Sequence, residues 1–355
     1  MVGPDGALPL PWLAGWLEAP RRSGAHALLV HGPQGIGQWE LSLTLAQGWL
    51  CESAAEPRPC GRCASCRLVQ AHGHPDLQVL LPEALQDALG WAVVDGDGDG
   101  AANADKSGKP RQPSKEIKVE AVRAAVAFAQ TTSARGRGKV LVIHPAERMN
   151  GIAANALLKT LEEPPGDARF VLGCAAPEAL LPTVRSRCQA IALPLPDVAL
   201  ATAWLAAQGV ARSDVMLAAC GGQPLEALAW MEQGVDAAAW LRLPQRVSHG
   251  DATALAGWPL ARATDALQKL CHDALCVAAG APARYFPRDA LPDAPARIEA
   301  LIDWSRELAR AARHAEHPWN AGLMLDALVA RGHEALLPAH NARSAAKAVS
   351  VNSCA

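Results

Sequence analysis

The sequence has few aromatic residues other than tryptophan, little net charge and no long apolar run. Its 355 residues include one tyrosine, three phenylalanines and eleven tryptophans. We expect the tryptophans to anchor cores and interfaces instead of stacking on bases, because the indole ring buries a large apolar surface. The net charge of −2 provides no general attraction for DNA, so any role in nucleic-acid chemistry must be local or indirect.

No stretch of 18 uncharged apolar residues occurs, which predicts that the chain does not span a membrane. The first residues, Met1 to Trp16, have no basic region and contain prolines, so they do not resemble a signal peptide. Together these absences predict a cytoplasmic protein. In that compartment the ten cysteines are expected to stay reduced.

Strand and helix patterns alternate in the first half of the chain and give way to helices alone in the second. The predicted strands are Leu28–His31, Leu77–Leu81, Lys139–Ile143, Phe170–Cys174 and Gln189–Leu193. Their alternation with helices predicts a mostly parallel sheet that is covered on both faces. We therefore predict an α/β domain over 1–195, a helical lid over 196–236, an all-α domain over 237–340 and a flexible tail over 341–355.

A low-complexity segment, residues 83–115, interrupts the α/β pattern. It contains the run Asp95-Gly96-Asp97-Gly98-Asp99-Gly100, which is similar to the start of a calcium-binding loop. The flanking helices and the closing glutamate of such a loop are missing. We therefore predict a disordered surface insertion.

A glycine loop follows the first predicted strand and has the spacing of the phosphate loop of ATPases. Its sequence is Gly32-Pro33-Gln34-Gly35-Ile36-Gly37-Gln38-Trp39. Gln38 occupies the lysine position and Trp39 the hydroxyl position, where an amide cannot neutralise phosphates and an indole cannot bind magnesium. Gly35 and Gly37 could still present backbone N–H groups to a phosphate, which leaves weak nucleotide binding open.

The carboxylates that hold magnesium and orient water in such ATPases are also missing from the expected strand end. The strand 139–143 is followed by His144-Pro145, and Glu147 lies three residues after His144. A histidine that replaces a lost carboxylate is favoured over a catalytic base or a metal ligand. The joint loss of lysine, hydroxyl and acids predicts that the chain does not hydrolyse ATP.

Four cysteines within sixteen residues have the spacing C-x8-C-x2-C-x2-C; they are Cys51, Cys60, Cys63 and Cys66. Four thiolates at this spacing fit a closed tetrahedral Zn²⁺ site, which stabilises a loop and leaves no open position for catalysis. A redox pair would not need four cysteines, and disulfides conflict with a reducing compartment. We predict a structural zinc module over 51–66.

Several motifs together resemble the δ′ subunit family of the bacterial DNA polymerase III clamp loader. Besides the cysteine module behind a degenerate phosphate loop, they are His74-Pro75-Asp76, the NALLKTLEEPP string at 155–165 and Ser186-Arg187-Cys188. The resemblance is strong from Trp12 to Pro194 and weak in the C-terminal helices, where it rests mainly on residues 317–320 (His-Pro-Trp-Asn).

The resemblance implies an AAA+ fold with an α-helical collar at the C-terminal end. It implies a rigid stator without ATPase activity, in a hetero-pentamer of δ, δ′ and γ/τ that loads the β sliding clamp on primed DNA. By its place in the Ser-Arg-Cys motif, Arg187 would be the arginine finger for the ATP site of the adjacent γ/τ subunit. The resemblance also implies that the four cysteines of 51–66 are zinc ligands. The γ and τ subunits of the family share the zinc module and the Ser-Arg-Cys motif but keep an intact phosphate loop, so the absent lysine separates this chain from them.

Two other functions stay open at the level of sequence. An active ATPase of the γ/τ type would need a cation near Gly37 and a carboxylate for magnesium from elsewhere in the chain. A zinc module that binds nucleic acid would need basic or aromatic residues on its loop, where only Arg58, Arg62 and Arg67 lie nearby.

Overall fold

A computed structural model of the chain describes residues 1–91, 113–292, 297–314 and 320–337. Three features of the sequence lie outside the described residues: the Asp-Gly run within 92–112, the motif residues 317–319 and the predicted tail at 341–355. The chain forms two compact units, Met1–Asp197 and Val198–Ala355.

The first unit is built on a five-stranded parallel sheet. Its strands are β1 (Ala27–His31), β2 (Leu77–Leu80), β3 (Val140–Ile143), β4 (Arg169–Cys174) and β5 (Gln189–Ala192). Their order is β2-β3-β4-β1-β5, and every pair is parallel. The central strands are almost entirely buried and apolar, as expected for a sheet covered on both faces. The predicted parallel sheet is confirmed, and each predicted strand differs from the observed one by a single residue at one end.

Helices of the first unit cover both faces of this sheet. They are α1 (Glu18–Arg22), α2 (Gln38–Leu50), α3 (Ala64–Gln70), α4 (Glu83–Gln86), α5 (Val119–Ala129), α6 (Gly151–Glu162) and α7 (Pro182–Arg185), with 3₁₀ turns at Pro11–Trp16, Ala146–Arg148 and Pro177–Ala179. Helices α5 and α6 share one core with Leu29, Leu141 and Phe170 of the sheet. Helix α2 contacts β3 and β4 on the other face, where a Cβ added at Gly173 would lie 3.2 Å from Ser42 Oγ.

The described ends of the predicted insertion are ordered, contrary to the disorder expected over 83–115. Residues 83–86 form α4, and the Glu83 carboxylate accepts a hydrogen bond from Ser114 N–H (3.0 Å). Glu83 also forms an ion pair with Lys118. These contacts join the two ends of the insertion through side chains that are far apart in sequence. Composition alone could not show them, so the expected disorder was wrong for the described ends.

The motif aspartate, Asp76, organises the start of β3. Its side chain is fully buried and accepts hydrogen bonds from Ser133 Oγ (3.0 Å) and from the backbone N–H groups of Ala134 (2.7 Å) and Arg135 (2.9 Å). The buried Lys139 ammonium lies 3.0 Å from its Oδ1. Burial opposes ionisation of this carboxyl, but the N–H groups and the ammonium outweigh it and hold the pKa of Asp76 below its usual value. The motif residue therefore has a structural task.

Replacing Asp76 with asparagine should lower the free energy of unfolding by about 3–5 kcal/mol, because it leaves the buried Lys139 ammonium without its counter-charge. The folded-state pKa of Asp76 is depressed, so its contribution is present above the unfolded pKa of about 4 and is lost as the pH falls through the folded-state pKa. Urea unfolding at pH 7 and near pH 3 measures both effects. A variant as stable as the wild type at pH 7 would show that the buried pair contributes nothing.

The regular elements in the described residues of the second unit are all helical. Its helices are α8 (Val198–Ala207), α9 (Ser213–Ala219), α10 (Pro224–Glu232), α11 (Ala237–Ser248), α12 (Leu260–Ala278), α13 (Ile298–Arg313) and α14 (Ala321–Leu336), with 3₁₀ turns at Ala252–Leu255 and Arg288–Ala290. One hydrophobic core runs from Ala201 to Leu336. The core therefore includes residues from both the predicted lid and the predicted all-α domain, and the boundary between these two stays a prediction.

Tryptophans form the centre of this second core, as the composition predicted. Trp230, Trp240 and Trp304 are almost completely buried. The rings of Trp230 and Trp240 lie 5.3 Å apart, and Trp240 stacks on Phe286 at 4.3 Å. Pro244 lies inside α11. Burial of the flanking apolar face of α11 offsets the backbone hydrogen bond that a proline removes.

Candidate functional site

The degenerate phosphate loop leaves β1 at the carboxyl edge of the sheet, where ligands of parallel α/β proteins bind. Gly37 has a φ of 109°, and a Cβ added there would lie 2.6 Å from Leu10 Cδ1. The loop is thus covered closely by the 3₁₀ turn Pro11–Trp16 and the residue before it. Trp12 fastens this cover, since its indole N–H donates to the carbonyl of Ile36 (2.7 Å).

Gln38 stands where the phosphate-binding lysine is expected, and its side chain is turned back into the loop. The amide Nε2 donates to the carbonyl oxygens of Gly32 (2.7 Å) and Pro33 (2.6 Å). The residue is only 4% exposed. Both amide N–H groups are therefore used to hold the loop, and no positive charge is present at this position.

Trp39 stands where a hydroxyl would hold magnesium, and it belongs to an aromatic cluster formed by Trp39, His72, Trp91 and His144. The Trp39 ring lies 5.4 Å from the His144 ring and 5.8 Å from Trp91, which meets it edge-on. Trp91 in turn stacks on His72 at 3.8 Å. Side chains of this chain therefore surround the indole at the position of the lost hydroxyl.

His144 follows β3 at the place of the missing carboxylates. Burial lowers the pKa of His144 to about 4, so the ring is neutral at neutral pH. Glu147 is the nearby acid, and its Oε1 accepts a hydrogen bond from Ala175 N–H (2.9 Å) just after β4. The carboxylate thus connects two loops at the sheet edge. Burial, followed by the charge of Glu147, raises the pKa of the Cys174 thiol at the end of β4 to about 12.

The four cysteines of the predicted zinc module lie together. Their sulfur atoms are all within 4.8 Å of one another, with Cys51 and Cys63 3.9 Å apart and Cys60 and Cys66 4.0 Å apart. A tetrahedral ion with zinc–sulfur bonds of about 2.3 Å places its sulfurs about 3.8 Å apart, so the arrangement fits Zn²⁺. The described residues contain no second cluster of metal-ligand type. The nine cysteines of the described residues are free thiols.

The cysteine cluster is connected to the sheet through Ser65 of α3. The Ser65 hydroxyl donates to the carbonyl of Leu50 (2.6 Å) at the end of α2 and contacts His74 Nε2 (2.8 Å). His74 Nδ1 accepts from the backbone N–H of Asp76 (3.0 Å). An ion bound by the cysteines would therefore stabilise the junction between α2, α3 and β2.

Arg187 lies just after α7 and is held against the end of α6. Its Nε donates to Glu162 Oε1 (2.7 Å), its Nη2 forms an ion pair with the same oxygen, and its Nη1 donates to the carbonyl of Thr183 (2.8 Å). The side chain is 30% exposed. Cys188 packs against the core of the first unit, and burial raises the pKa of its thiol to about 12. No contact in the described residues joins Arg187 to the phosphate loop.

The structure therefore brings the four cysteines together. It also places Gln38 and Trp39 at the start of α2, at the lysine and hydroxyl positions that the loop spacing predicted. Sequence reasoning missed Glu162 as the partner of Arg187, although the acidic LEEPP string was a visible signal. It also missed the packing of Trp91 and His72 around Trp39. Trp91 lies within the low-complexity segment 83–115, where no periodic pattern indicates burial.

A parallel sheet with a phosphate-type loop after β1 places the chain in the class of α/β proteins with the phosphate-loop fold. Comparison with known proteins agrees. A family model described as DNA polymerase III, delta subunit, matches residues 18–197. A Pseudomonas aeruginosa protein named DNA polymerase III subunit delta' is 38% identical over 231 residues, which are 63% of this chain and 62% of that protein.

The Escherichia coli protein of the same name is 31% identical over 264 residues, which are 69% of this chain and 71% of that protein. The tau subunit of Escherichia coli DNA polymerase III is 32% identical over 173 residues, 49% of this chain and 22% of tau. The chain belongs to the DNA polymerase III delta' family. Its match spans 62% of the Pseudomonas relative and 50% of a Yersinia pestis relative.

Among the helices of the described residues, none has the length and apolar character that a membrane span requires.

Proposed function

We propose that this chain is a clamp-loader subunit that does not hydrolyse ATP and that supplies Arg187 in trans to the ATP site of an adjacent γ/τ subunit. Its partners would be δ and γ/τ in a hetero-pentamer that loads the β sliding clamp on primed DNA. Membership of the delta' family supports this role. The second unit would contribute the lid (196–236) and the collar (237–340) through which such subunits assemble.

The proposal that this chain does not hydrolyse ATP rests on the side chains at the lysine and hydroxyl positions of the phosphate loop. Gln38 uses its amide within the loop, and Trp39 is packed against His144 and Trp91. Phosphoryl transfer depends on cations and a metal ion that neutralise the developing charge. At this edge Gln38 contributes a neutral amide and His144 a neutral imidazole, while Glu147 uses its Oε1 to accept a backbone N–H. The contacts oppose the alternative of an active γ/τ-like ATPase.

We further propose that Cys51, Cys60, Cys63 and Cys66 hold one structural Zn²⁺ ion. The sulfur spacing supports a closed tetrahedral site, and thiolates are ligands that Zn²⁺ prefers. When bound, the ion would act as a fixed cross-link between α2 and α3, and the four sulfurs would leave no coordination position for water.

Reconstitution with γ/τ and δ of the same organism tests the proposed role. Size-exclusion chromatography with native mass spectrometry should show one copy of this chain in the assembled complex. Loading of the β clamp on primed DNA should require it. A complex that forms and loads clamps equally well without the chain would contradict the proposal.

A further inference from the structure

Arg187 forms its ion pair with Glu162. The two residues are 25 positions apart, and Glu162 is the last residue of α6. A carboxylate is unfavourable there, because the end of a helix carries partial negative charge from its free carbonyl groups. The ion pair with the guanidinium of Arg187 offsets this unfavourable interaction.

The contacts of Arg187 divide the guanidinium into an occupied edge and an available edge. Nε and Nη2 both donate to Glu162 Oε1, which occupies the edge nearest the side-chain stem. Nη1 donates to Thr183 O at 2.8 Å and has a long contact of 3.3 Å to Ser186 Oγ. One N–H of Nη2 has no partner among the described residues, and one N–H of Nη1 has only the long contact. Two N–H groups from different nitrogens are what a phosphate binds in the two-pronged mode.

We propose that Glu162 is the positioning residue of Arg187: it holds the Nε edge of the guanidinium and presents the terminal Nη1 and Nη2 groups to a phosphate of the neighbouring subunit. This inference rests on the proposed role of Arg187 in trans. An arginine side chain loses rotamer entropy when it is ordered. With Glu162 in place that ordering precedes contact with the phosphate, so it does not add to the barrier of the reaction.

Exposure of the pair fits this task. The side chains of Arg187 and Glu162 are 30% and 47% exposed, so a neighbouring chain has access to them. Exposed ion pairs contribute little to folding, and removal of Glu162 should therefore leave the fold unchanged. Glu163, the adjacent exposed carboxylate, makes no contact with Arg187 in the described part of the chain, which makes it a matched control.

The test compares Glu162→Ala, Glu162→Gln and Glu163→Ala in the reconstituted clamp-loader complex with primed DNA and β clamp. Glu162→Ala should lower the rate of clamp loading about tenfold, the equivalent of one charge-assisted hydrogen bond. The loss should appear in the maximal rate and not in the ATP concentration for half-maximal rate, because the contact acts in the transition state. Glu162→Gln keeps an acceptor oxygen without the charge and should recover about a third of the wild-type rate. Glu163→Ala should match the wild type.

The double variant Glu162→Ala/Arg187→Ala tests the positioning role of Glu162 separately from the proposed role of Arg187 in trans. The double variant should load clamps no more slowly than Arg187→Ala alone, because Glu162 acts only through Arg187. If Arg187→Ala is slow while Glu162→Ala loads clamps at the wild-type rate or faster, Glu162 does not position the arginine but the finger stands. If Arg187→Ala itself loads normally, the proposed role of Arg187 fails and the positioning role fails with it.

Discussion

Replacing Arg187 with alanine should abolish most clamp loading while the complex still assembles. An arginine supplied in trans to a phosphoryl-transfer site is worth about 10³–10⁵ in rate at that site. The other γ/τ ATP sites of the complex do not use Arg187. Total ATP hydrolysis should therefore fall only by the fraction that the affected site contributes. Clamp loading, which we expect to depend on that site, should fall by at least about tenfold. A stopped-flow assay of clamp binding to primed DNA measures this loss.

Arg185 provides the matched control for Arg187. It lies two residues earlier at the end of α7, is exposed, and has no hydrogen bond or ion pair of its guanidinium within the described residues. Arg185→Ala removes the same charge from the same surface, so a general electrostatic effect on assembly would affect both variants equally. Equal rates for Arg187→Ala and the wild type would show that the finger assignment is wrong.

Loss of a single cysteine of the zinc module should remove the metal and unfold the region around it. We expect one Zn²⁺ per chain in the wild type and none in Cys66→Ser, since the Cys66 sulfur is buried at the start of α3 within the cluster. Binding free energy at such sites is folding free energy, so the expected loss of stability is several kcal/mol. Elemental analysis by mass spectrometry and urea unfolding with and without a chelator measure both effects.

Cys276→Ser is the control for the metal prediction. Cys276 lies in α12, outside the cluster, and is half-buried. Its replacement should leave the zinc content and the response to chelator unchanged. Wild-type protein that contains no zinc, or a Cys66→Ser variant that keeps a full equivalent, would contradict a four-cysteine site.

Local sequence patterns predicted the elements of the first unit well. The apolar runs of β1 and β3 indicated those strands. The glycine spacing located the phosphate loop, and the cysteine spacing located the cluster. Such features depend on residues that are close in sequence, where hydrophobic periodicity and turn chemistry act directly.

Contacts between distant residues could not be predicted in this way. Nothing near Arg187 in the sequence shows that Glu162, at the end of another helix, holds it. The packing of Trp91 against Trp39 joins the low-complexity segment 83–115 to the residue that follows Gln38 of the phosphate loop. Such pairs depend on how the sheet brings loops together at its carboxyl edge, which is a property of the assembled fold.

Turnover of ATP by the purified chain alone, with magnesium and without partner subunits, tests the central claim most directly. With Gln38 bound inside the loop and Trp39 in the place of the hydroxyl, we expect a rate no higher than that of a blank without protein. Magnesium-dependent release of phosphate well above this background, co-eluting with the chain on size-exclusion chromatography, would contradict a non-catalytic subunit.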